Sequence, residues 1–161
     1  MMKRREVVVL GALSALAQLA PRRAFAADDF LQTANALLDR YAAAINAHDT
    51  SSFPVLFTEA YIQHSGRSPS GLAAQIENFK RIFAAMPDVQ FRIEDRIIAG
   101  DKVVARTTYS ATHTQTIRGI APTGKAFSFH TIDIWRVQDG KFAEHWDLTD
   151  IVEVLSNLRA G

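Results

Sequence analysis

FSFHTIDIWRVQDGKFAEHWDLTD, residues 127–150, reads as two strands around a turn at Gln138-Asp139-Gly140. It carries Asp133, His145 and Asp147, where a plain structural hairpin needs no ionisable residue. The loop length decides whether the three meet. A two-residue Asp139-Gly140 turn sets Asp133 opposite Trp146 and sends His145 and Asp147 to the other face. A three-residue loop, closed by Gly140 in the left-handed conformation, pairs Asp133 with His145 and Thr131 with Asp147. The second register is the expectation, because it gathers two carboxylates, an imidazole and a hydroxyl on one face. Phe129, Trp135 and Val137 share that face by period-two alternation.

Working outward, three more strand-like runs precede or overlap this hairpin, at 89–98, 102–115 and 126–137, with Gly100-Asp101 and Pro122-Thr123-Gly124 as turns. On the second run, His113 follows Ala105, Thr107, Tyr109 and Ala111 at alternate positions, a face of small and mixed residues suited to a hollow. Ahead of the strands, residues 28–47 place Phe30, Leu31, Ala34, Leu37, Leu38, Tyr41 and Ile45 at helical spacing, with Asp28-Asp29 as a plausible cap. A short helix is expected over 51–57, an extended segment at 61–64, a polar loop at 65–70 and a second amphipathic helix over 71–86. Helices first and a meander of long strands afterwards predict an α+β fold, with the helices on one face of a curved antiparallel sheet.

The 161 residues are 48% hydrophobic and 22% charged, which suits one globular domain. Residues 1–26 read as an export signal: Lys3-Arg4-Arg5, an apolar run over 7–20 and a small-residue cleavage site at Ala24-Phe25-Ala26. The run of about fourteen residues is short for a membrane span, and Arg4-Arg5 suggests the twin-arginine route. Five of the 18 basic residues and one of the 17 acidic ones leave with this segment, so 13 face 16 and the domain at 27–161 carries a net charge of −3. That balance argues against nucleic acid as a partner, and a cleaved signal leaves no membrane anchor. The expected location is the periplasm or the exterior. With no cysteine in the chain, disulfides and thiolate metal sites are excluded.

Several motifs occur together: Met86-Pro87-Asp88, Ala99-Gly100-Asp101-Lys102-Val103, Thr112-His113-Thr114, the run 119–125, the run 133–137, and 139–147, DGKFAEHWD. In order and spacing they resemble the SnoaL-like polyketide cyclases, also called the ester-cyclase-like family, over roughly residues 28–158. The resemblance implies a cone-shaped α+β barrel, the fold of nuclear transport factor two, ketosteroid isomerase and limonene epoxide hydrolase. It also implies a pocket inside the cone and a homodimer. Asp147 matches the family's acid/base carboxylate. Thr131, Asp133 and Gln63 match its supporting polar positions, with His64 beside the last. The family cyclase has glutamine and histidine where this chain has Thr131 and Asp133.

Proton abstraction next to a carbonyl needs a carboxylate in an apolar pocket, and no cofactor or metal. Asp147, between Trp146 and Leu148, is the leading candidate. His145 or His113 would hold the substrate oxygen or pass a proton, and Asp133 would orient the imidazole. Trp135 and Tyr109 are candidate contacts to a small apolar carbonyl compound, although aromatic residues in such positions more often belong to the core. Three alternatives stay open. The pocket could bind a small molecule without transforming it. Paired aspartates with an arginine could activate water, as in an epoxide hydrolase. His145 and Asp147 could hold a metal ion together with His64 or His113.

Overall fold

The computed structural model describes residues 20–160, with side chains from Asp28 to Arg159. The expected export signal therefore lies largely outside the described residues, while residues 20–26 form the start of a helix.

That helix, α1 (Ala20–Asn46), begins before the Asp28-Asp29 cap expected from sequence. It buries Ala34, Leu37, Leu38, Tyr41, Ala44 and Ile45, and leaves Leu31 exposed. At its end, the Asn46 side chain donates to the Phe91 carbonyl at 3.0 Å and accepts from the Phe91 amide at 2.7 Å. One asparagine thus substitutes for a neighbouring strand at the sheet edge. His48, which reads from sequence as a solvated end residue, bonds through Nε2 to the Val89 carbonyl at 2.8 Å and packs at a tilt against Phe83.

The chain continues through α2 (Phe53–Leu56), β1 (Phe57–Gln63) and α3 (Leu72–Ala85). Four long strands follow, β2 (Gln90–Ala99), β3 (Lys102–Thr112), β4 (Ala126–Gln138) and β5 (Lys141–Thr149), and then α4 (Ile151–Ala160). The fold is α+β, with the sheet in the order β1-β5-β4-β3-β2. The last four strands form the expected antiparallel meander. The fifth differs: β1 pairs parallel to β5, so the sheet is mixed and open, with β1 and β2 as its edges.

Alternation along β4 explains how the sheet carries a core on one side. Phe127, Phe129, Thr131, Asp133, Trp135 and Val137 are buried, while Ser128, His130 and Ile132 face out. Tyr41 of α1 enters the inner face and meets Phe57, Phe79, Phe91, Trp135 and Phe142 edge-on, at centroid distances of 5.6–6.0 Å. Edge-to-face packing of this kind adds to the area buried by each ring. The core therefore fills one part of the concave side and leaves the neighbouring part open.

Candidate active site

The β4–β5 hairpin closes with a two-residue turn. Asp139 (φ 51°) and Gly140 (φ 71°) both occupy the left-handed region, as a type I′ turn requires. On its own this turn would set Asp133 and His145 on opposite faces. A bulge corrects it: Arg136 pairs with Glu144 and Val137 with Phe142, so Ala143 is an extra residue in β5. Beyond it, Asp133 lies opposite Asp147, Trp135 opposite His145, and Thr131 opposite Thr149. The register is thus neither of those weighed from sequence, being shifted by two from the expected pairing. The expected shared face is nevertheless formed.

Asp133 is 5% exposed and His145 6%. His145 Nε2 lies 2.9 Å from Asp133 Oδ1, and His145 Nδ1 lies 2.9 Å from Gln63 Nε2. The proton can be placed. Gln63 Oε1 accepts the Ser65 amide at 3.1 Å, which turns the Gln63 NH₂ toward the imidazole. Nδ1 is then an acceptor, and Nε2–H donates to Asp133. The other carboxylate oxygen of Asp133 accepts from Thr131 Oγ1 and, at 3.3 Å, from Thr107 Oγ1, and the two hydroxyls are 2.5 Å apart. Trp135 covers the imidazole from behind, stacked at 4.9 Å. Both nitrogens of His145 are occupied, so it holds Asp133 and Gln63 in place and has none free for a substrate.

Asp147 differs from Asp133. Its Oδ2 forms an ion pair with Arg67, from the loop after β1, and its Oδ1 is buried without a hydrogen-bond partner among the described residues. Burial, followed by the like charge of Arg118, draws the Arg67 pKa below its ordinary value, with Asp133 acting in the opposite sense.

These residues line a cavity of about 490 Å³ between α3 and the inner face of β3–β5. Gln63, Tyr109, Thr131, Asp133, His145 and Asp147 all reach it. Tyr109 stacks on Phe129 at 4.8 Å, and burial, with the charge of Asp133, pushes its phenol pKa well above the ordinary value. Three other candidates lie elsewhere. His113 is fully buried behind the cavity, with Nδ1 3.0 Å from Thr123 Oγ1 and its backbone carbonyl accepting the amides of Thr123 and Gly124. It pins the 113–125 loop. His64 is on the outer face of the sheet, 2.9 Å from Glu144 and stacked on Trp146 at 4.4 Å. Trp135 is core: it does not line the cavity, and it backs the rings of His145 and Tyr41. The histidines invoked for a metal ion with His145 and Asp147 therefore do not converge on that pair.

Among the cavity residues not singled out from sequence are Arg67, Gln75, Asn78, Arg81 and Arg118. Gln75 left a readable trace. It occupies a core position on the α3 stripe, three after Leu72 and four before Phe79, where a polar residue is out of place. Arg67 and Arg118 sit on loops, where no periodicity marks them.

An open curved sheet with helices over its concave side, and a polar cluster walling a cavity there, defines the nuclear transport factor two-like class of α+β proteins. Within it, the SnoaL-like polyketide cyclase family matches residues 35–158, and the chain belongs to that family. Among solved structures, TsrD from Streptomyces laurentii is 28% identical with a TM-score of 0.74, covering 81% of this chain and 97% of TsrD. AclR from Streptomyces galilaeus, named as a candidate hydroxylase, is 29% identical with a TM-score of 0.70, covering 78% and 83%. IdmH from Streptomyces antibioticus, named as a candidate polyketide cyclase, is 25% identical with a TM-score of 0.69, covering 78% and 97%. No curated protein matches the chain.

Proposed function

We propose that the cavity carries out cofactor-free acid/base chemistry of the cyclase or isomerase type on a small carbonyl compound. The observation that carries this reading is the state of Asp147. It is a carboxylate in the cavity wall with one oxygen paired to Arg67 and the other lacking any partner among the described residues. Asp147 takes a proton from the carbon next to the carbonyl, the C–H electron pair passes into an enolate, and the carboxylic acid returns the proton to the product. Asp133, held by His145, Thr131 and Thr107, is a positioning residue whose own oxygens are already engaged.

The experiment is deuterium exchange at C2 of benzoylacetate and of its ethyl ester in D₂O, followed by proton NMR. Exchange faster than buffer and dependent on Asp147 supports the proposal. Exchange no faster than buffer removes the chemistry and leaves a binding module. The facing pair Asp133 and Asp147, with Arg67 on the second, favours water activation as the next reading. Hydrolysis of styrene oxide in place of exchange would move the assignment there.

Two further parts of the proposal concern the whole chain. The first is a homodimer through the outer face of the sheet, where Leu148, 75% exposed, lies opposite the exposed Ile132. Sedimentation should give a dimer for the wild type and a monomer for Leu148→Glu; a monomeric wild type, or an undisturbed dimer in the variant, rejects that surface. The second is export, expected from the leader motif at residues 1–26. N-terminal sequencing of protein from the periplasmic fraction should begin at Ala27, and full-length protein confined to the cytoplasm rejects it.

A further inference from the structure

The charges around the cavity do not balance. Arg67, Arg81 and Arg118 line it against Asp133 and Asp147, and three against two leaves one positive charge when His145 holds a single proton. Only one of the three guanidiniums is matched: Arg67 pairs with Asp147, whereas Arg81 and Arg118 make no ion pair among the described residues. Asp133 does not serve either of them, because neutral donors fill both of its oxygens.

Arg118 is held by a built turn. Ile117 and Ile120 are buried and bridge each other through both backbone amides, at 3.1 and 2.9 Å. Between them Arg118 (φ 49°) and Gly119 (φ 79°) occupy the left-handed region. A non-glycine residue there is strained, so an arginine at this corner needs a reason beyond making the turn. Arg118 and Arg67 line the same cavity, and the like charge of Arg118 contributes to the lowered pKa of Arg67.

A second observation points to a ligand independently. Gln75 is 3% exposed, lines the cavity, and its Oε1 is buried with no hydrogen-bond partner among the described residues. Native interiors rarely leave such an amide oxygen unused, and a donor on a bound molecule would satisfy it. The same lining has an apolar part, made by Phe79, Ile82, Met86, Ile117, Phe129 and Ile151.

We infer that the cavity takes a hydroxylated carboxylic acid and not its neutral ester: the carboxylate meets Arg67 and Arg118, a hydroxyl donates to Gln75, and the carbon frame lies on the apolar wall. This deepens the acid/base reading and rests on the same cavity being its site. It also accounts for the resting pair. A ligand carboxylate competes for Arg67, and Asp147 is released from its partner as the substrate arrives.

The test is calorimetric titration at pH 7 with 6-hydroxy-2-naphthoate, its methyl ester and 2-naphthoate. The wild type should bind the hydroxy acid at least about tenfold more tightly than the ester, as a charge-assisted contact to guanidinium requires. Arg118→Gln should abolish that preference while leaving ester affinity unchanged, which also shows that the variant is folded. Lys125→Gln, an exposed charge outside the cavity, should keep it. Gln75→Leu should weaken the hydroxy acid but not 2-naphthoate. Equal affinity for acid and ester, loss of both alike in Arg118→Gln, or no binding of any probe at millimolar concentration overturns the inference. Asp147→Asn should retain the acid preference, so a wild type that shows the preference but no catalysed exchange would remove only the catalytic reading.

Discussion

Asparagine at position 147 should slow catalysed exchange by roughly 10²- to 10⁴-fold, the range that a positioned general base contributes. The substitution is nearly isosteric and leaves the β5 backbone unchanged, but an amide cannot take the carbon-bound proton. Its effect on the fold should be small. The lost partner, Arg67, has a side chain 37% exposed, so water can replace the carboxylate, and an ion pair at such a position contributes about 1 kcal/mol or less. The informative result is therefore a collapse in rate with an unchanged unfolding midpoint. A variant that exchanges the probe as fast as the wild type would assign the proton transfer to some other group.

Alanine at position 133 should have the opposite signature, a large loss of stability. Asp133 accepts from the His145 imidazole and from two threonine hydroxyls in a region closed to solvent. Truncation to alanine strands all three donors and opens a void beside Trp135, at a cost of about 3–5 kcal/mol, comparable to removing one partner of a buried pair. Asparagine should lose far less, about 1–2 kcal/mol, because its Oδ1 can still accept from His145 while its NH₂ donates to Thr131. Denaturant midpoints of the two variants measure the difference. If alanine and asparagine prove equally mild, the network is not what secures this part of the sheet.

Much of this arrangement was legible in the chain. Alternation over Phe127–Val137 marked the inner face of β4, and helical spacing marked the buried side of α1 and α3. The C-terminal helix was legible too, since Ile151, Val154, Leu155 and Leu158 repeat at three and four, but it was not read. The hairpin register was harder. Asp139-Gly140 suits both a two-residue turn and a longer loop, and a bulge leaves no local signal beyond two consecutive apolar residues, Phe142 and Ala143. The parallel pairing of β1 with β5 depends on contacts some eighty residues apart in sequence, and no local propensity encodes it. The loop arginines were invisible for the same reason: only tertiary structure brings Arg67 to Asp147. Asp147, Asp133, His145, Gln63, Thr131 and Tyr109 meet at one cavity because strand alternation carried them there. His113 was drawn in by alternation and His64 by its place beside Gln63, but β3 ends at Thr112 and β1 at Gln63, one residue short of each.

The bulge at Ala143 is a parity device, because it takes up one residue without turning the strand over. Were Ala143 to pair regularly, Glu144, Trp146 and Leu148 would face the cavity in place of His145 and Asp147. Loss of Ala143 would remove the bulge and leave Asp133 opposite Asp147, whereas a residue inserted after Glu144 and before Asp147 would turn that carboxylate to the outer face. Descendants of this sequence can therefore dispense with the bulge, but they cannot lengthen the strand after it by one residue and keep this wall.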